Sequence, residues 1–105
     1  MSEYKITEAQ FWLMLTARQH VYSDHKLPVG AKLLFGTITD CCHDEEFGGN
    51  TAGVLTISFP RLAKMIGASK GSVAKWIRKL ERGGYITVKR PRKGSNSYSV
   101  RNIQN

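Results

Sequence analysis

Hydrophobic side chains recur every three or four positions along much of this 105-residue chain, which is the spacing of an amphipathic helix. The pattern is continuous from Pro28 to about His43. Pro28 suits the first turn of a helix, because its missing N–H needs no partner there. The apolar face of this predicted helix consists of Ala31, Leu34, Phe35, Ile38 and Cys42.

Residues 7–22 fit two structures. Thr7 and Gln10 have the spacing of a capping box, which favours a helix. The run from Phe11 to Leu15 is continuously apolar, however, and is also typical of a buried strand. We predict a helix for this segment and keep a strand as the alternative.

Two short helices separated by a tight turn are predicted between residues 58 and 84. Ser58 and Ser69 are good N-caps, and Gly67 accepts the left-handed conformation with which many helices end. Gly83 and Gly84 end the second helix. The apolar stripe of the first helix is Phe59, Leu62, Ala63 and Ile66, and that of the second is Val73, Trp76, Ile77 and Leu80.

Alternating apolar and polar residues predict two strands near the C-terminus, Tyr85–Lys89 and Tyr98–Arg101. A basic hairpin loop at residues 91–96 joins them. Residues 54–57 form a further short β-rich run. The segment from Asp44 to Gly53 is acidic and rich in glycine, which predicts an exposed loop.

This order of elements describes a winged helix-turn-helix, an α+β and mostly helical fold. It has a three-helix core and a C-terminal β-hairpin wing, here preceded by an N-terminal helix or strand. We expect one domain over residues 1–105, with an N-terminal extension at 1–27 and the winged-helix core at 28–101. In this fold the second helix of the motif fits the DNA major groove, and the wing lies along the adjacent backbone or minor groove.

Charge is distributed very unevenly along the chain. Residues 1–53 carry four basic and seven acidic side chains, whereas residues 54–105 carry twelve basic side chains and one acidic one, Glu81. Exposed helix faces are often rich in Lys and Arg only because these residues are soluble and form helices. On such a face Glu usually occurs as often as Lys. The asymmetry therefore favours a surface for a polyanion over a merely solvated one.

The predicted recognition helix carries this charge on the side opposite its apolar stripe. Lys75 and Arg78 have the reach for guanine edges or phosphates, and small residues would let the helix approach the bases closely. Ser69 and Ser72 can hold a phosphate at the helix start. The expected DNA-binding residues of the helix are Ser69, Lys70, Gly71, Ser72, Ala74, Lys75, Arg78, Lys79 and Arg82, and those of the wing are Lys89, Arg90, Arg92 and Lys93.

The stretch from Leu33 to Val100 resembles winged helix-turn-helix domains of bacterial, phage and plasmid DNA-binding proteins. Residues 68–86 resemble their recognition-helix pattern, and residues 31–38 are similar to the first helix of phage and plasmid replication-initiator domains. The resemblance implies sequence-selective binding of double-stranded DNA by a replication initiator or a transcriptional regulator. No cofactor is implied.

Other classes of function have less support in the sequence. No Ser-His-Asp spacing, phosphate loop or dinucleotide glycine pattern indicates an enzyme or a small-molecule substrate. Cys41, Cys42 and His43 lack the spaced pairs of a zinc site, and we expect one cysteine to face inward and the other outward. No segment is apolar enough to span a membrane, and we expect a cytoplasmic protein.

Three alternatives concern partners. A protein-interaction module would need an apolar anchor on the outward face of the second helix. RNA binding would need exposed aromatic rings, for which Tyr85 and Tyr98 are the candidates. A homodimer through Trp12 and its apolar neighbours Phe11 and Tyr4 is equally compatible with the sequence, since the same residues fit a core.

Overall fold

The computed structural model of the protein describes residues 8–50 and 52–101. In chain order the described elements are helix α1 (Glu8–Tyr22), helix α2 (Val29–Cys41), a 3-10 turn (Glu45–Phe47), strand β1 (Val54–Thr56), helices α3 (Phe59–Ile66) and α4 (Lys70–Arg82), and strands β2 (Ile86–Lys89) and β3 (Ser97–Val100). No helix in the described ranges is both long and apolar enough to span a membrane.

The N-terminal segment is a helix from Glu8 onward, so the helical alternative for it is confirmed and the strand is wrong. Thr7 and the Thr7–Gln10 capping box lie outside the described residues. Ala17 and Val21 of α1 are buried against the core. Arg18 fixes α1 to α2, because its guanidinium donates to the hydroxyl of Thr39 at 2.8 Å and forms an ion pair with Asp40.

The apolar stripes predicted for α2, α3 and α4 meet in one core. Leu34, Phe35 and Ile38 of α2 and Leu62 of α3 are fully buried. The fully buried Tyr98 of β3 closes the core from the side of the sheet. Val73, Ile77 and Leu80 turn α4 inward on the predicted side.

Both cysteines are buried, so the expectation that one would face outward is wrong. Cys41 is 6% exposed and Cys42 is 1% exposed. The helix ends at Cys41, and Cys42 adopts a cap position from which its thiol donates to the carbonyl of Thr39 at 3.4 Å. Both positions nevertheless fit the apolar face of α2, since Cys41 and Cys42 follow Ile38 by three and four residues.

The caps of α3 and α4 are those expected from the sequence. The Ser58 hydroxyl accepts the N–H of Arg61 at 3.3 Å, and the Ser69 hydroxyl accepts the N–H of Ser72 at 3.1 Å. Gly67 ends α3 with a φ of 67°, the left-handed conformation that glycine tolerates. Three residues thus separate the two helices, the short connection that is typical of a helix-turn-helix.

The acidic segment is largely an exposed loop, as predicted, but it also contains a 3-10 turn and folds back on the end of α2. Asp44 caps the 3-10 turn, and the N–H of Asn50 donates to the carbonyl of Cys42 at 3.0 Å. Gly49 is buried so closely against the end of α2 that a Cβ there would overlap the carbonyl oxygen of Cys41. The side chains of the turn, Glu45, Glu46 and Phe47, are exposed, as are Asn50 and Ala52.

The wing belongs to a three-stranded antiparallel sheet in the order β1-β3-β2. Val54 pairs with Ser99 and Thr56 pairs with Ser97, so β1 covers the free edge of β3. The sequence indicated the β-rich run but not its partner, because the partner strand lies more than forty residues away. The sheet attaches the wing to the start of α3 through β1.

Helix α4 is placed by its contact with α2. Trp76 of α4 packs partly buried against the core, and its indole ring lies directly on Gly30 of α2. A Cβ on Gly30 would overlap three atoms of that ring. The contact is therefore possible only because residue 30 has no side chain.

We expect Gly30→Ala to destabilise the fold by about 1–3 kcal/mol, the cost of overpacking a well-packed contact, although alanine is the better helix former. Gly36→Ala on the same helix is the matched control, because a Cβ there would lie 3.1 Å from the exposed Tyr22 hydroxyl, which can move. Urea unfolding of both variants measures the difference. A Gly30→Ala protein as stable as Gly36→Ala would contradict the placement of Trp76.

Candidate nucleic-acid interface

Every residue that the sequence assigned to the outward side of α4 lies at the surface. The exposed ones are Ser69, Lys70, Gly71, Lys75, Arg78 and Arg82, and the half-buried ones are Ser72, Ala74 and Lys79. None of the exposed members is acidic or apolar. The outward side of α4, from Ser69 to Arg82, is called the cationic face below.

The N-terminal end of α4 is polar and carries no acidic side chain in its first turn. The hydroxyls of Ser69 and Ser72 lie 3.0 Å apart and bond to each other, while Ser69 also caps the helix. The helix dipole makes this end partly positive, and Lys70 adds a full charge. Such an end is suited to an anion rather than to a cation.

Gly71 lies in the first turn of α4 without any structural reason to be glycine. Its φ is not positive, and a Cβ added there would meet no atom of the described protein within 4 Å. Glycine in a helix costs roughly 0.5–1 kcal/mol relative to alanine. Among the described residues, no contact accounts for glycine at this position.

The wing cations Lys89, Arg90, Arg92 and Lys93 are all exposed. Arg90, directly after β2, differs from the rest because its guanidinium donates two parallel hydrogen bonds to Glu81 of α4, at 2.9 Å and 3.0 Å. These bonds hold the pKa of Glu81 below its usual value. The single acidic residue of the C-terminal half therefore joins the wing to α4, which sequence reasoning did not foresee.

A groove separates the cationic face from the wing. Its walls are Ala74, Arg78 and Glu81 of α4 together with Arg90 of the wing, and Phe59 and Ile77 form its apolar part. Arg78 and Arg90 thus border one surface although they belong to different elements. In the free protein the Arg78 side chain lies along its own helix, with Nε donating to the carbonyl of Ala74 at 3.3 Å.

Lys26 is a cation that the sequence reasoning missed. It lies in the connector between α1 and α2, and it lines a surface depression together with Lys79, Arg82 and Asp24. Its place in the acidic half of the sequence gave no signal of this. Only the folding of the connector against the C-terminal end of α4 brings Lys26 to the cationic face.

Neither tyrosine that would support stacking on RNA bases presents a free ring. Tyr98 is fully buried. The Tyr85 hydroxyl donates to Asp24 at 2.7 Å, and the ring packs edge-on against Phe35 at 6.4 Å. Burial and this bond to a carboxylate raise the pKa of Tyr85 to about 12, while the bond lowers the pKa of Asp24. Both tyrosines serve the fold.

The cluster of Cys41, Cys42 and His43 has the chemistry of a packed helix end. Burial raises the pKa of both thiols, that of Cys42 to about 11, so they are neutral at pH 7. Among the described residues no three His, Cys, Asp or Glu side chains are close enough to share a metal ion. The Nδ1 atom of His43 is buried without a hydrogen-bond partner.

Helices α3 and α4 are joined by a tight turn, α4 carries the cationic face, and the sheet projects a basic loop beside it. Together these features define a winged helix-turn-helix domain. The chain belongs to the helix-turn-helix domain family, whose model matches residues 25–86. The matched segment begins just before α2 and ends at the first residue of β2. It therefore includes the whole of α4 but not the wing loop.

Comparison with solved structures supports the same fold. The chain is similar to MepR, described as a transcription regulator of the Staphylococcus aureus multidrug efflux pump MepA. The TM-score is 0.55 at 13% sequence identity, and the superposition covers 91% of this chain and 67% of MepR. At this identity the likeness shows the fold alone. No curated protein sequence matches the chain.

Proposed function

We propose that this protein binds double-stranded DNA with sequence selectivity, as a regulator of transcription. The observation that carries the proposal is the cationic face of α4, whose exposed members are basic or small and uncharged. A helix of this kind enters the major groove, where its long basic side chains reach base edges. The wing loop follows the flanking backbone, where contacts position the protein without reading sequence.

Each part of the interface has its own role. Lys75 and Arg78, near the middle of α4, read base edges, and Ser69, Lys70 and Ser72 hold a phosphate at the helix start. At the other end, Lys79 and Arg82 share a depression with Lys26 and contact a second stretch of backbone. The remaining phosphate contacts come from Lys89, Arg92 and Lys93 of the wing.

A docking module for a protein partner is the alternative from another class. Protein interfaces are anchored by buried aromatic or aliphatic side chains. The exposed positions of α4 offer none. A helix face that carries positive charge but no exposed apolar anchor is suited to a phosphodiester duplex, and this favours DNA over a protein surface.

Replication initiation stays an alternative to transcription regulation, because residues 31–38 resemble initiator domains. Selection of bound duplexes from a random pool separates the two roles. A palindromic site would indicate a homodimeric regulator, and tandem repeats would indicate an initiator. In either role the proposed location is the cytoplasm, and no cofactor is required.

Neutralising about six phosphates would give the logarithm of the affinity a slope of about −5 against the logarithm of the salt concentration. Titration of a duplex by fluorescence anisotropy between about 50 and 300 mM salt measures it. A flat response would exclude the proposed function.

A matched pair of variants sharpens this measurement. Lys26→Gln should make the slope shallower by about 0.9, the loss of one phosphate contact. Lys32→Gln removes the same charge from α2, where the ammonium donates to the carbonyl of Tyr22 at 2.8 Å, and should leave the slope unchanged. If Lys26→Gln and Lys32→Gln gave the same slope, Lys26 would not be a phosphate contact.

Arg78→Ala should cost about 1–3 kcal/mol of binding to the selected site and relax its sequence preference, because a base contact is lost. Lys93→Ala should weaken all sequences alike, because its contact is with the backbone. Affinities for the selected site and for single-base variants of it distinguish the two. Identical effects on every sequence would contradict this division of roles.

Gly71→Ala should stabilise the free protein by about 0.4–1 kcal/mol, because the methyl group meets open space and the unfolded chain loses freedom. The same change should weaken duplex binding about tenfold, or about 1.4 kcal/mol, because the methyl group occupies space needed for the bases. Gly36→Ala, whose added methyl group would meet Tyr22 of α1, is the control for binding. A stabilised Gly71→Ala protein with unchanged affinity would show that α4 does not approach the bases there.

A further inference from the structure

The contact between Glu81 and Arg90 has a geometry that stability does not require. Both nitrogens of the guanidinium fork face both oxygens of the carboxylate, at 3.0 Å and 2.9 Å, so the pair is bidentate. The Arg90 and Glu81 side chains keep 47% and 36% of their surface exposed. Exposed ion pairs usually contribute little to folding stability, and bidentate geometry places this pair at the upper end of that small range.

The position of Glu81 makes the pair costly for affinity. Glu81 is the single acidic residue among residues 54–105, and it lies on the wall of the groove between α4 and the wing. There it cancels one cation that would otherwise attract a phosphate. A carboxylate at this place lowers the attraction of the groove for a phosphate backbone.

The pair also leaves a neighbouring cation available. Arg78 borders the same groove one helical turn before Glu81, yet its Nε donates to the carbonyl of Ala74 and not to Glu81. Both carboxylate oxygens of Glu81 are taken by Arg90. The groove therefore contains two guanidinium groups: that of Arg90, which is paired with Glu81, and that of Arg78, which is not.

From this geometry we infer that Glu81 is a specificity-determining, positioning residue: it holds Arg90 of the wing against α4 and withholds that guanidinium from the phosphates of non-cognate DNA. The inference rests on the proposed function. Sequence selectivity is a ratio of affinities, and weakening all sequences by one factor would leave that ratio unchanged. The pair acts on the ratio through its geometry: a wing held at a fixed spacing from α4 meets the backbone best when α4 is in register with its site, whereas a released Arg90 can reach a phosphate on any duplex. Arg78 remains for the base edges, while the wing is fixed at the spacing set by the pair.

Glu81→Gln keeps the shape of the side chain and removes its charge. Arg90 is then released to a phosphate, so the salt slope on random duplex should steepen by about 0.9, and binding at 0.15 M salt should tighten about fivefold. The ratio of selected-site to random affinity should fall. Glu45→Gln is the matched control, since it removes an exposed charge from the 3-10 turn, away from the groove, and should leave the slope unchanged.

A second variant separates release of Arg90 from loss of a repelling charge. In Glu81→Gln/Arg90→Gln no guanidinium is freed, so the slope should return to that of the wild type. An unchanged slope for Glu81→Gln, or a steepened slope that persists in the double variant, would overturn the inference. Thermal unfolding of each variant confirms that the fold is intact.

A measurement without DNA keeps this inference distinguishable from the proposed function. In the nitrogen-15 NMR spectrum of the free protein, the Arg90 guanidinium should rotate slowly in the wild type and fast in Glu81→Gln. Fast rotation in the wild type would overturn the inference even if DNA binds. If the Arg90 guanidinium rotates slowly but duplex binding does not respond to salt, the ion pair exists as described and the proposal of DNA binding is wrong.

Discussion

The close approach of the Trp76 ring to Gly30 determines where α4 lies, and the rest of the surface follows from that position. Trp76 is on the inward side of α4, so its docking on α2 fixes both the height and the rotation of the helix. Rotation decides which side faces solvent. Because Val73, Ile77 and Leu80 fill the core from the same side, the basic residues are exposed as a continuous face.

The sheet and the connector complete this arrangement through polar contacts. β1 pairs with β3 and anchors the wing ahead of α3, while Arg90 links the wing to α4 through Glu81. On the other side, Asp24 accepts the Tyr85 hydroxyl and ties the connector to the residue before β2. The wing and α4 are thus held on two sides, and a cation from the acidic half, Lys26, reaches the cationic face.

Local sequence signals predicted most of the fold because they act over a few residues. Ser58, Gly67 and Ser69 cap helices through bonds within one turn, and the apolar stripes of α2 and α4 require only the helical period. The departures from prediction lie around the end of α2. Cys41 is buried together with Cys42, because both follow Ile38 at helical spacing, and the acidic segment folds back on α2 because Gly49 permits contact with its carbonyls.

By itself, the sequence determined which residues could form the candidate interface, since charge, small side chains and helical period are local properties of α4 and the wing. Only the tertiary structure decided which of these residues lie side by side and which of them form ion pairs within the protein. Arg90 is paired because the turn after α4 brings the wing back to Glu81, and Lys26 joins the face because α2 docks beside α4 and Tyr85 binds Asp24 of the connector. Such contacts depend on the packing of distant segments, and no spacing along the chain encodes them.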